Sequence, residues 1–173
     1  VITENQLESW INNLKNQNII SVDTETSSLN PIEANLVGIS FCYEEGKACY
    51  IPLKNKDKKC LNPETVLKKI KPLLEDPSIK KIGQNMKYDY IVFKKNKIEV
   101  NPIEDTMLTS YTLDAGLNRH NLDTLAEIHL GHKTISFKDL VGSGKKQITF
   151  SDVDLNKATA VSYTHLTLPT KRI

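Results

Sequence analysis

Ile19-Ile20-Ser21-Val22 runs directly into Asp23-Thr24-Glu25, an apolar strand that ends in two carboxylates. Side chains at i and i+2 of a strand point the same way, about 6–7 Å apart. Asp23 and Glu25 therefore share one face at the rim of a buried strand. Two acids held that close repel each other, and a pair of hard divalent cations is the commonest compensation. Mg²⁺ and Mn²⁺ take oxygen ligands and bridge carboxylates to phosphates. The plain alternative is an exposed strand end. With 21 acidic residues in 173, acid-x-acid pairs also arise by chance, so this one is no metal site by itself.

Local signals divide the rest of the chain into short elements. Leu7, Trp10, Ile11 and Leu14 recur at helical spacing, which predicts a helix over about 3–15. Strands are predicted at 18–24, 36–42 and 47–52, the last two joined by the Glu44-Glu45-Gly46-Lys47 turn. A helix follows over 63–74, with Pro63 suited to its first turn. Further strands are read at 79–84 and near 98–103, and helices at 105–113 and 122–130, the latter stopped by Gly131. Ser151 or Asp152 is read as the cap of a last helix. A meander followed by alternating helix and strand predicts an α/β fold, a mixed sheet with helices on its faces.

The helix predicted over 86–95 adds a third acid. Asn85 reads as its N-cap, and Asn85, Asp89 and Phe93 stack at i, i+4, i+8 on one face. Tyr88, Ile91 and Val92 supply the opposite, packing face. Asp89 in the first turn could simply serve the helix dipole. Sharing a face with Asn85, it could also point into a cleft.

Composition sets the outer limits. The length suits one domain with a sizeable core, and a mean hydropathy of −0.38 is ordinary for a globular chain. No stretch approaches the roughly 20 apolar residues of a membrane span. The first residues do not read as a secretory signal, and Val1 in place of Met reads as a start inside a longer frame. Cys42, Cys49 and Cys60 lack metal spacing and read as reduced thiols of a cytoplasmic protein. A net charge of +2 does not by itself imply nucleic acid. Arg119 and Arg172 are the two arginines, and a guanidinium fork suits a phosphate. Asp105, Asp152 and Asp154 read as helix caps, and His120, His129 and His132 show no catalytic spacing.

Six segments in order then carry a resemblance. They are Asp-Thr-Glu-Thr-x-x-Leu at 23–29, Asn-Leu-Val-Gly-Ile-Ser-Phe at 35–41, Gly-Gln-Asn-x-Lys-Tyr-Asp at 83–89, Asp-Thr-Met-Leu-x-Ser-Tyr at 105–111, Arg-His-Asn-Leu-Asp-x-Leu-Ala-Glu at 119–127 and His-Lys-Thr-Ile-x-Phe at 132–137. Together they resemble the 3′–5′ proofreading exonuclease domain of bacterial DNA polymerase I, of the DEDD superfamily, from about Ile2 to Ala160. The resemblance implies an RNase H-like fold with the first strand central. It also implies two Mg²⁺ or Mn²⁺ ions on the catalytic acids Asp23, Glu25 and Asp89. Thr26, Leu29, Asn85 and Phe137, and less firmly Gln84 and Arg119, would hold a single-stranded or frayed 3′ end of DNA. A polymerase domain normally in the same chain, and a monomeric state, belong to the same expectation. Two rival readings are a ribonuclease D-like RNA exonuclease and an inactive nucleic-acid-binding domain; intact Asp23, Glu25 and Asp89 speak against the second.

The family's last motif, Tyr-x-x-x-Asp on a helix, falls at 161 and 165, where this chain has Val161 and His165. From Val161 onward the sequence is rich in β-branched residues, carries Pro169 and shows no helical period. Residues 161–173 are accordingly read as a non-native tail following an exonuclease domain over 1–160, with hydrolysis impaired.

Overall fold

The computed structural model describes residues 1–56, 59–134, 141–142, 148 and 150–167. Five strands form one sheet: β1 (Ile19–Thr26), β2 (Leu36–Glu44), β3 (Lys47–Pro52), β4 (Lys80–Gly83) and β5 (Ile103–Asp105). Their order is β3-β2-β1-β4-β5, which puts β1 in the centre. β1 pairs antiparallel with β2 and parallel with β4, so the sheet is mixed, as expected.

One face of the sheet is apolar. Ile20 and Val22 of β1, Ile39 and Phe41 of β2, and Ile51 of β3 pack under three helices: α1 (Glu4–Lys15), α2 (Pro63–Leu74) and α3 (Met86–Lys95). Local chemistry starts these helices. Thr3 Oγ1 accepts from Gln6 N at 3.3 Å while Gln6 Oε1 accepts from Thr3 N at 3.3 Å, closing a capping box on α1. Asn62 accepts from Thr65 N at 3.1 Å, and Pro63 follows it in the first turn of α2. The helices bury Leu7, Ile11, Leu14, Val66, Ile70 and Leu73.

The other face carries the alternate residues, Ser21, Asp23 and Glu25 of β1 with Gly38 and Ser40 of β2. It is covered by α6 (Leu155–Thr167), which packs against β3, β2 and β1. α4 (Thr106–Leu113) and α5 (Leu122–Leu130) follow β5 in the chain, the latter closed by Gly131 at φ 60° as predicted.

Four local expectations need correction. β5 lies at Ile103–Asp105, not 98–103: Ile98 and Val100 enter the core, and parallel pairing with β4 starts only after Pro102, which has no N–H for a ladder. Asn85 does not cap α3 through its side chain. It sits in the left-handed region, φ 59°, which Asn tolerates, and its N–H donates to Asp105 Oδ1 at 3.0 Å. The last helix is capped by Asp154, not Ser151 or Asp152, with Asp154 Oδ1 accepting from Asn156 N at 3.0 Å and Lys157 N at 3.3 Å. That helix also runs on through Thr167, against the non-helical reading of 161 onward. Propensity is a weak force beside tertiary burial, and Ala158 and Val161 are both buried against the sheet.

Candidate active site

The carboxyl end of β1 is where the acids meet. α3 descends beside it and delivers Asp89, 4% exposed, to the backbone of Thr24. Thr24 N donates to Asp89 Oδ1 at 2.9 Å and Thr24 Oγ1 to the same oxygen at 2.5 Å. Burial above all, then the nearby Asp23 carboxylate, hold Asp89 well above the usual carboxylate range, while the two Thr24 bonds pull it down. Sequence reasoning gave Asp89 a face shared with Asn85 and Phe93 that could point into a cleft. In fact it lies on the buried side with Met86, Val92 and Phe93, whereas Asn85 is exposed.

Asp23 is half-buried and stands opposite Ser40; Glu25 is 8% exposed and stands opposite Gly38. The Oγ atoms of Ser21 and Ser40, on the face that bears Asp23, are fully buried with no hydrogen-bond partner. Asp23 and Asp89 are thus brought together and Glu25 follows on the Asp23 face. Among the described residues, no three His, Cys, Asp or Glu side chains close into a metal-holding cluster. The donor set nevertheless fits a hard divalent cation. A buried carboxylate destabilised by a second carboxylate, with orphaned hydroxyls alongside, is relieved by positive charge and oxygen-seeking coordination.

The other expected residues divide into two groups. Thr26 and Leu29 sit at the loop leaving β1. Thr26 Oγ1 donates to Ser28 O at 3.1 Å, Tyr88 OH donates to the same carbonyl, and the two hydroxyls lie 2.5 Å apart. This knot fixes the loop, and Leu29 beyond it is 93% exposed. Gln84 is turned inward, accepting from Thr106 Oγ1 at 2.5 Å and donating to His120 O at 2.8 Å. Arg119 is exposed and makes no ion pair among the described residues. Phe137 lies outside the described residues. Sequence reasoning missed Thr24 as the support of Asp89 and took Tyr88 for a packing residue. Both lie inside the segments at 23–29 and 83–89, which were the available signal.

The family model described as 3'-5' exonuclease matches residues 1–156. The chain belongs to that family. DNA polymerase I of Pseudomonas aeruginosa is 39% identical over 164 residues, covering 91% of this chain and 18% of the relative. DNA polymerase I of Rhizobium leguminosarum is 38% identical over 173 residues, covering 88% and 17%. This exonuclease domain therefore spans less than a fifth of the length of those two relatives. Escherichia coli RNase D, an exoribonuclease involved in structured RNA processing, superposes with a TM-score of 0.63 at 19% identity, over 94% of this chain and 41% of that one. At that identity the likeness speaks for fold alone, and the fold is the expected RNase H-like one. Among the described residues, no helix is long and apolar enough to cross a membrane.

Proposed function

We propose that this exonuclease domain hydrolyses the 3′-terminal phosphodiester of single-stranded or frayed DNA, as one domain of a cytoplasmic, monomeric DNA polymerase I chain. Two divalent ions, Mg²⁺ or Mn²⁺, would be held by Asp23, Glu25 and Asp89. The carrying observation is the meeting of Asp89 with the end of β1, where burial and the Asp23 charge disfavour its ionised form. When bound, such ions supply Lewis-acid polarisation of the phosphoryl group and charge stabilisation at the leaving 3′ oxygen.

The chain's own residues do the rest. Thr24 fixes the Asp89 carboxylate so that one oxygen is spent on the protein and the other is left for a ligand. Leu29, projected by the Thr26–Ser28–Tyr88 knot, wedges against the terminal base, a contact indifferent to sequence. Exposed Asn85 and Arg119 would make backbone and phosphate contacts, and Phe137 would stack on a base. Gln84 acts through its neighbours, tying β4 to α4 and to the segment before α5. Curated relatives at 38–39% identity that are DNA polymerases favour DNA over RNA.

Positions 161 and 165 lack the family's Tyr and Asp, so hydrolysis would be impaired in this chain. Metal binding remains testable. A titration followed by the paramagnetic resonance of free Mn²⁺ should reveal at least one site, weakened strongly by Asp23→Ala. Unchanged binding in that variant would refute the assignment.

A further inference from the structure

Tyr50 stands on β3 directly opposite Ser40 of β2, which makes Gly38 its diagonal neighbour on the same face. Aromatic side chains reach such diagonal positions, and this one lies across Gly38. A Cβ built at residue 38 would fall 2.2 Å from the Tyr50 hydroxyl oxygen and 2.3 Å from its Cε2. Gly38 is in turn directly opposite Glu25 of β1. The phenol therefore spans from β3 over β2 toward β1, through a notch that only glycine leaves open.

Packing explains the ring but not the hydroxyl. Phe150 meets the ring edge-on at 6.3 Å, and Val37, Val141, Val153 and Ala158 belong to the same cluster, leaving Tyr50 4% exposed. A phenylalanine would fill that space equally well, and a buried phenol is costly unless its O–H finds a partner. Glu25, 8% exposed and on the same face, offers a carboxylate acceptor in the direction in which the phenol spans.

We propose that the Tyr50 hydroxyl is a positioning group for Glu25: seated over Gly38, it donates to the Glu25 carboxylate and fixes that side chain for cation binding. Its consequence for the cation rests on the metal reading above; the contact itself does not. Fixing a glutamate removes rotamer entropy that a ligand would otherwise have to overcome. Because Phe150 meets the ring and Ala158 shares its cluster, the turn before α6 and the first part of α6 take part in setting the site.

Two cycles on the intact chain test this, each using Tyr50→Phe, Glu25→Gln and the double variant. In urea unfolding without metal, the two substitutions should be non-additive, the Phe change costing less once Glu25 is Gln. In Mn²⁺ titrations, Tyr50→Phe should weaken binding roughly 10–100-fold, the range for residues that orient metal ligands, and have no further effect in the Glu25→Gln background. Gly38→Ala, which displaces the ring without removing either polar group, should give the same loss of Mn²⁺ affinity; if that variant fails to fold, Tyr50→Phe decides alone. Additive effects in urea, or unchanged Mn²⁺ affinity in Tyr50→Phe, overturn the proposal. Absence of Mn²⁺ binding by the parent chain overturns the metal reading, and the urea cycle then judges the Tyr50–Glu25 contact by itself.

Discussion

Thr24 and Asp89, 65 residues apart in the chain, are joined by two hydrogen bonds to a single carboxylate oxygen. The arrangement both uses and strains the acid. It supplies donors that favour the charged form, within a buried setting beside Asp23 that disfavours it more. Keeping the acid there therefore costs local stability.

The first prediction concerns that strain. Asp89 has its pKa raised on folding, so between the unfolded and folded values the native state binds more protons, and stability falls as pH rises through that window. Asp89→Asn keeps the oxygen that Thr24 needs and removes the cost. Thermal midpoints of the metal-free proteins should coincide near pH 4 and separate toward pH 7, with the Asn variant higher by roughly 2–4 °C. Added Mn²⁺ should stabilise the parent at pH 7 and leave the variant unmoved. A lower midpoint for Asp89→Asn at pH 7 without metal would contradict the account.

A second prediction lies on β4. Lys81 is fully buried, and its Nζ donates to Asp76 O at 2.7 Å and Asn101 O at 2.6 Å. Lys81→Met orphans both carbonyls and should cost about 1–3 kcal/mol. Burial lowers the Lys81 pKa to about 8, against 10.5 when unfolded. Between those values the unfolded chain holds more protons, so the parent gains stability as pH rises. Urea midpoints for parent and variant should diverge from pH 8 to pH 10; parallel curves would show that Lys81 does not change its protonation on folding.

The third concerns the substrate. Binding of single-stranded DNA, followed by fluorescence anisotropy, should exceed that of blunt duplex and weaken with salt, because binding to the phosphates releases their counterions. Leu29→Ala should reduce affinity for a frayed end by up to about 1.5–3 kcal/mol, the worth of a leucine side chain buried against the base, without a change in thermal midpoint, since the side chain is 93% exposed. Preference for RNA over DNA of the same sequence would favour the ribonuclease D-like reading.

The fourth concerns the last helix. Residues 161 and 165 lie one turn apart on a helix that packs against β1, β2 and β3, so the missing pair can be restored without rebuilding the backbone. The double substitution Val161→Tyr and His165→Asp should give Mg²⁺-dependent release of mononucleotides from a 3′ end. The parent should be slower by several kcal/mol of transition-state stabilisation. Val161 is buried, so the larger ring should cost about 1–3 kcal/mol of stability unless it turns toward the site. Equal rates from both proteins would mean that the last motif is dispensable.

The sequence alone determined whatever depends on neighbours a few residues away. Pro63–Leu74, Met86–Lys95 and Leu122–Leu130 are legible because periodicity, the Asn62 cap with Pro63, and the closing Gly131 act within one or two turns. The segments that carry Asp23, Glu25 and Asp89 were legible because their order survives in one dimension, and the fold brings Asp89 up to Asp23. Tertiary structure decided the rest. β5 moved because its register is set by β4, Asn85 turned left-handed, and α6 continued through residues of poor propensity because the sheet buries Ala158 and Val161. Asp89 became a strained acid only when α3 carried it out of water and up to Thr24 and Asp23. Solvent exclusion and charge proximity are properties of packed surfaces, and no local pattern of residues contains them.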